Sequence, residues 1–196
     1  MKTPSKTAAV VLVAALMIAP AALAHPGHPG HETLNLVAGA LHPFTGLDHM
    51  LAMVAVGLWA ALRGGRAVWA WPAAFLAAFL AGYGLGQSGL VLPLAEPAIL
   101  ASIMVLGTLT AADARVPTAL GVAIIGLCGA AHGYAHGFEA PQATLGFPVG
   151  MMLATALLHL TGLAAAFGLK QARWTWAIRL LGAATLAGGL ALAAGA

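Results

Sequence analysis

The sequence predicts an all-α polytopic membrane protein, a bundle of six transmembrane helices behind a cleaved signal peptide. Three observations predict it. Only 7% of residues are charged while 61% are hydrophobic, and the mean hydropathy is +0.94. Six apolar segments approach the length of a membrane span, and the basic residues between them fall on one side only. A soluble domain carries about 25% charged residues, so this chain has too few to coat a water-exposed surface. Most of its surface must face the lipid bilayer.

The amino terminus has the layout of a secretory signal. Lys2 and Lys6 form a charged region, Ala8–Ile18 an apolar region, and Ala22-Leu23-Ala24 an A-x-A cleavage site. Pro20 and the small residues around it end the apolar run early, which favours cleavage over an uncleaved first helix. The organisation that follows is a signal peptide at 1–24, an extracytoplasmic His-rich tail at 25–41 and a six-helix transmembrane domain at 42–196. Without Lys2 and Lys6 the balance is six basic against five acidic residues. The pI near 9.5 therefore carries no nucleic-acid signal.

The expected spans are approximately Pro43–Leu62, Val68–Gln87, Pro97–Ala112, Val116–Phe138, Thr144–Leu169 and Trp174–Ala194. Each is close to the roughly 20 residues that cross the hydrocarbon core as a helix. With residue 25 outside, the loops after the first, third and fifth segments are cytoplasmic. Those loops hold Arg63, Arg66, Arg115, Lys170 and Arg173. The outer loops, Ser88–Glu96 and Glu139–Ala143, hold no Lys or Arg. This is the positive-inside pattern. Trp69, Trp71, Trp174 and Trp176 then fall at the cytoplasmic interface, where aromatic rings collect. Gly82, Gly84, Gly86, Gly89, Gly188 and Gly189 are read as packing glycines. Glu96 is expected to cap the third helix, and Asp113 and Arg115 to pair in a loop.

Two motifs carry chemistry. In His42-Pro-Phe-Thr-Gly-Leu-Asp48-His49, Pro43 suits the first position of a helix. That places Asp48 and His49 about 8–9 Å inside the helix start. In His132-Gly-Tyr-Ala-His136-Gly-Phe-Glu139, the two His are four apart and Glu139 three further on, all on one stripe. Gly133 and Gly137 leave open space beside that stripe. His132 lies about 9 Å below the outer helix end, level with His49. Ionisable groups at such depth are costly in a bilayer and mark functional sites. Four His, one Asp and one Glu without a thiolate suit a borderline divalent transition metal.

Other residues are weaker candidates. His159 lies about 22 Å from the outer end of the fifth segment, too deep for the outer cluster. It fits a second ion station, a proton relay or plain helix packing. Cys128 lies four before His132, as a ligand lower in the path or as a small buried residue. Met50 and Met53 are read as apolar filler. His25, His28 and His31 recur every third residue in the tail, where they would collect metal or simply be solvated.

The two motifs together resemble the HupE/UreJ family, and the resemblance extends over nearly the whole chain. It implies a small bacterial inner-membrane nickel permease associated with hydrogenase and urease, hence with nickel-enzyme maturation machinery. It implies that His42, Asp48, His49, His132, His136 and Glu139 handle the metal. The resemblance points to Ni²⁺; the residue chemistry alone admits Co²⁺ or Zn²⁺.

Two functions from different classes fit. The first is a permease importing metal from periplasm to cytoplasm, with both mature termini periplasmic, the metal as substrate and no prosthetic group. The chain has no G-x-x-x-x-G-K-[ST] loop, so it does not itself couple transport to ATP. The second is an intramembrane zinc-dependent hydrolase built on the same cluster, with Glu139 as general base. Either a monomer or a homo-oligomer fits the sequence.

Overall fold

The computed structural model describes residues 35–140 and 145–195. The expected signal peptide and the histidines His25, His28 and His31 lie outside these residues. Among the described residues are seven α-helices and no strand. They are α1 (Leu36–Leu41), α2 (Leu47–Arg63), α3 (Ala67–Gln87), α4 (Ala95–Ala111), α5 (Thr118–Glu139), α6 (Gly146–Gln171) and α7 (Thr175–Gly195). A 3₁₀ turn, His42–Phe44, joins α1 to α2. Four helices, α3, α5, α6 and α7, are long and apolar enough to cross a membrane. The α1–α2 pair passes the same test as one broken span, bent by 82°. The remaining apolar helix, α4, has 17 residues. The protein is a multi-pass helical membrane protein with four to five candidate spans by length and composition.

The bend in the first expected segment is the largest departure from the sequence reading. Pro43 lies in a 3₁₀ turn, His42–Phe44, instead of opening a long helix. The Thr45 amide and hydroxyl both donate back to the His42 carbonyl, at 3.0 and 2.7 Å. Gly46 is then extended (φ −112°, ψ 125°) and caps α2. Asp48 and His49 therefore occupy the first turn of α2, not a position two turns inside a helix begun at Pro43. A smaller correction concerns Glu96. The cap position of α4 is Leu94, and Glu96 lies in the first turn, where a carboxylate faces the positive end of the helix dipole.

A helix apolar on every side belongs in the interior, and α2 is such a helix. From His49 to Ala61 every residue except Met50 and Val54 is buried. It packs against α3, α4, α6 and α7. Around it α3 touches α5, α5 touches α4, α4 touches α7, α7 touches α6, and α6 returns to α3. Five helices thus enclose one. Outward leucines such as Leu127, Leu153, Leu157, Leu160 and Leu180 stay exposed, as a lipid-facing surface requires.

Close backbone approach holds the ring together. Lipid tails are as apolar as Leu, so helices in a membrane associate through tight van der Waals contact at small residues. A Cβ on Gly129, Gly133 or Gly137 of α5 would meet the carbonyl of Phe75, Phe79 or Tyr83 at 2.4, 1.9 or 2.2 Å. A Cβ on Gly82 or Gly86 of α3 would meet the carbonyl of Ala130 or Tyr134 at 2.2 or 2.3 Å. The register rises together on both helices, so α3 and α5 run parallel. Gly133 and Gly137 are accordingly filled by the α3 backbone and leave no open space. Gly57 and Gly162 seat α2 on α6 in the same way, and Gly107 and Gly182 seat α4 on α7. Gly84 and Gly89 have nothing within 4 Å.

The basic side chains gather at one end of the bundle. Lys170 Nζ donates to the Ala61 carbonyl at 2.9 Å, and Arg63 Nε to Val116 at 2.8 Å. Arg179 Nε donates to Ala111 at 2.8 Å. These acceptors lie at the carboxyl ends of α2 and α4 and in the turn that follows. Carbonyls there lack helical partners, and cations suit the dipole. Arg179, inside the sixth apolar segment, thus joins the basic end. Asp113 and Arg115 pair there as expected, at 3.7 Å. The tryptophans divide. Trp69 and Trp176 are exposed. Trp71, expected at the interface, is fully buried and donates to the Thr118 carbonyl at 3.0 Å.

These contacts predict a paired outcome. Gly82→Ala should destabilise the protein by about 1–3 kcal/mol, the cost of overpacking a tight contact. Gly84→Ala, two residues away in open space, should be neutral or slightly stabilising. Thermal unfolding in detergent distinguishes them, and equal midpoints would contradict the α3–α5 contact.

Candidate metal centre

The end opposite the basic residues holds a cluster of imidazoles. His42 comes from the 3₁₀ turn, His49 from the first turn of α2 and His136 from the last turns of α5. Each offers one ligand atom, and the three atoms lie within 4.8 Å of one another. His49 and His136 are buried, while His42 is partly exposed. The ring centroids of His49 and His136 are 4.6 Å apart, and those of His42 and His136 4.8 Å. The bend at Thr45-Gly46 makes this possible. It turns His42 back over the start of α2, where the expected straight helix would have spaced His42 and His49 about two turns apart.

Both buried imidazoles have the same polarity of contacts. His49 Nδ1 lies 2.7 Å from Asp48 Oδ1. His136 Nδ1 lies 3.7 Å from Glu139 Oε2. The opposite nitrogens, His49 Nε2 and His136 Nε2, face each other in hydrogen-bond contact. A carboxylate next to Nδ1 favours the tautomer with its proton there, leaving a lone pair on Nε2. Two lone pairs in such contact repel unless a proton is shared between them, and a metal ion bound by both rings would hold the nitrogens further apart. Asp48 and Glu139 therefore orient the ligands electrostatically. Asp48 is itself held at the amino terminus of α2, where the helix dipole favours a negative charge.

Of the residues predicted from sequence, His42, His49 and His136 are brought together, with Asp48 and Glu139 behind two of them. His132 is adjacent but deeper. Its ring centroid is 5.7 Å from that of His49. Its Nδ1 donates to the Cys128 carbonyl at 2.9 Å, and its Nε2 is buried without a hydrogen-bond partner. Cys128 contributes that carbonyl, while its thiol stays outside the three-His cluster. His159 lies beyond His132. Met53 is buried filler that accepts a bond from the Thr155 hydroxyl at 3.3 Å.

Three supporting residues escaped the sequence reading. A Cβ on Gly46 would fall on Asp48 Oδ1 and His49 Nδ1, so a larger residue there would push that pair out of its present position. Gln87 Nε2 donates to the carbonyls of Gly137 and Ala140, both at 2.8 Å, which pins the end of α5 that carries Glu139. The Tyr134 hydroxyl bonds the Leu90 carbonyl and accepts from the Leu92 amide, fixing the adjoining loop. The Thr-Gly step inside the first motif was the available signal for the bend. Gln87 was visible only as the polar end of an apolar segment.

Fold and site together define a polytopic helical membrane protein with a histidine cluster of metal-binding type at the end away from its basic residues. The family model for the HupE / UreJ protein matches residues 13–192, and the chain belongs to this family. It is 41% identical over 186 residues to Protein HupE of Rhizobium leguminosarum bv. viciae, covering 94% of this chain and 93% of that protein. No solved structure matches. Family membership implies nickel or cobalt transport, or an accessory role in it.

The carboxylate contacts yield a prediction for binding. Asp48→Asn and Glu139→Gln should each weaken Ni²⁺ affinity about 10- to 100-fold, the usual effect of losing a carboxylate behind a ligating His. His49→Ala should abolish the high-affinity binding event. Competition titration of purified protein against a chelator measures both. Unchanged affinity in both carboxamide variants would contradict the assigned orientation of the two rings.

Proposed function

We propose that the protein is a permease that carries Ni²⁺ from the periplasm to the cytoplasm across the bacterial inner membrane. The observation that carries this reading is the three-imidazole cluster of His42, His49 and His136 at the end of the bundle opposite Arg63, Lys170 and Arg179. Basic ends face the cytoplasm, so the cluster faces the periplasm and receives the incoming ion. The donor set of neutral imidazoles suits Ni²⁺, Co²⁺ or Zn²⁺, and the family relation favours nickel among them. Family kinship also favours transport over the zinc-hydrolase alternative.

Six crossings fit this reading. Helices α2 and α6 run parallel, with Met53 beside Thr155 and Ala61 beside Lys170. Helices α3 and α5 are likewise parallel. Helices α4 and α7 are antiparallel, with Ile103 near Gly189 and Thr110 near Gly182. This is the pattern of six helices alternating in direction, with α4 included despite its length. Both mature termini then lie outside, after removal of residues 1–24.

Uptake into proteoliposomes tests the proposal. Wild-type protein should carry Ni²⁺ inward, with Co²⁺ competing. His136→Ala and His49→Ala should reduce the rate at least tenfold while reconstituting normally. Variants that reconstitute and transport at the wild-type rate would sink the permease reading.

A further inference from the structure

The imidazoles do not stop at the outer cluster. Ring contacts run without interruption from His42 to His136 and His49, from His49 to His132, from His132 to Phe75 and from Phe75 to His159. The line begins at a partly exposed ring and ends at one that is 1% exposed. The Phe75 ring lies between the last two imidazoles, at centroid distances of 5.6 Å from His132 and 5.1 Å from His159. His159 is about 20 Å along α6 from Gly146 and about 16 Å from Lys170 at helical rise, so it is near the middle of the membrane.

His159 lies outside both sequence motifs and has an unusual environment. Both of its ring nitrogens are buried without a hydrogen-bond partner. A neutral imidazole has one donor and one acceptor, so two polar atoms are orphaned in the lowest-dielectric part of the bundle. Such groups are expensive, and helix packing alone would be served better by leucine. His132 Nε2, on the other side of Phe75, is orphaned as well. Three unsatisfied nitrogens thus flank one aromatic ring.

We infer that His159 forms a second, weaker metal station at mid-membrane, beyond Phe75 and loaded from the outer cluster by way of His132. This rests on the permease reading and deepens it. A permeant ion must bind well enough to enter and weakly enough to leave. Three converging imidazoles capture the ion outside. The single buried imidazole of His159 holds it less tightly further in. The Phe75 ring, packed between His132 and His159, limits the room for water and larger solutes between the stations.

The test uses the full chain in proteoliposomes. His159→Leu removes two unpartnered nitrogens and fills a similar volume, so the thermal midpoint should stay level or rise. Ni²⁺ flux should fall at least tenfold, while titration of the outer site stays at the wild-type affinity. Wild-type flux in a stably folded His159→Leu protein overturns the inference. If that variant melts early, His159→Gln decides, because it keeps a polar group of similar length. Low flux supports the station, and wild-type flux overturns it. A binding readout separates this idea from the permease reading. In the His49→Ala/His136→Ala protein a weaker Ni²⁺ binding event should persist and vanish when His159→Leu is added. Failure of wild-type transport would sink the permease, whereas absence of that residual binding would sink the inner station.

Discussion

His49 and His136 meet through their Nε2 atoms while the far nitrogen of each ring faces a carboxylate. Two imidazoles oriented in this way repel unless a cation joins them. The residues are 87 apart in sequence, so their encounter depends on how the helices are stacked. His49 is placed by α2, which is buried along nearly its whole length, and His136 by α5, which is locked against α3. The cluster is therefore a product of the whole bundle, not of one local motif.

Backbone contact supplies the needed precision. Where Gly129, Gly133 and Gly137 meet the carbonyls of Phe75, Phe79 and Tyr83, α5 has little freedom to slide or rotate. Sliding by one residue would drive a side chain into a carbonyl. Gln87 and Tyr134 then fix the outer end of α5 and its loop. At the histidine end, the 82° bend before α2 brings His42 into range, and Gly46 gives Asp48 room to reach His49. At the opposite end, Lys170 and Arg179 satisfy carbonyls left open at the ends of α2 and α4, and Arg63 satisfies one in the loop before α5. The same side chains thus stabilise the ends and fix the asymmetry from which orientation is read.

Much of this was legible in the sequence. Scarce charge and segment length gave a helical membrane protein, and five of the six segments match helices within a few residues. His42, Asp48, His49, His136 and Glu139 were readable because ionisable groups inside apolar segments are conspicuous. The bend was not readable with the same ease. Pro43 is equally at home at the start of an α-helix and in a 3₁₀ turn, and only the hydrogen bonds of Thr45 distinguish them. Gly133 and Gly137 resembled empty space because sequence carries no information about which backbone fills a glycine notch. Trp71 passed as an interface residue because an aromatic residue in an apolar segment does not announce its partner. The equal depth of His49 and His132, inferred from helical rise, rested on a helix start that the bend removes. His132 nonetheless stays beside His49, through tertiary packing.

The central claim is that a transition metal binds between histidine rings at the end of the bundle opposite the basic residues. X-ray absorption spectroscopy of the Ni²⁺-loaded protein tests it most directly. The account predicts a first shell of nitrogen and oxygen with the outer-shell scattering of about three imidazoles, reduced in number by His42→Ala and reduced further in His49→Ala/His136→Ala. A sulfur ligand from Cys128 or a methionine, or a shell without imidazole scattering, would contradict it.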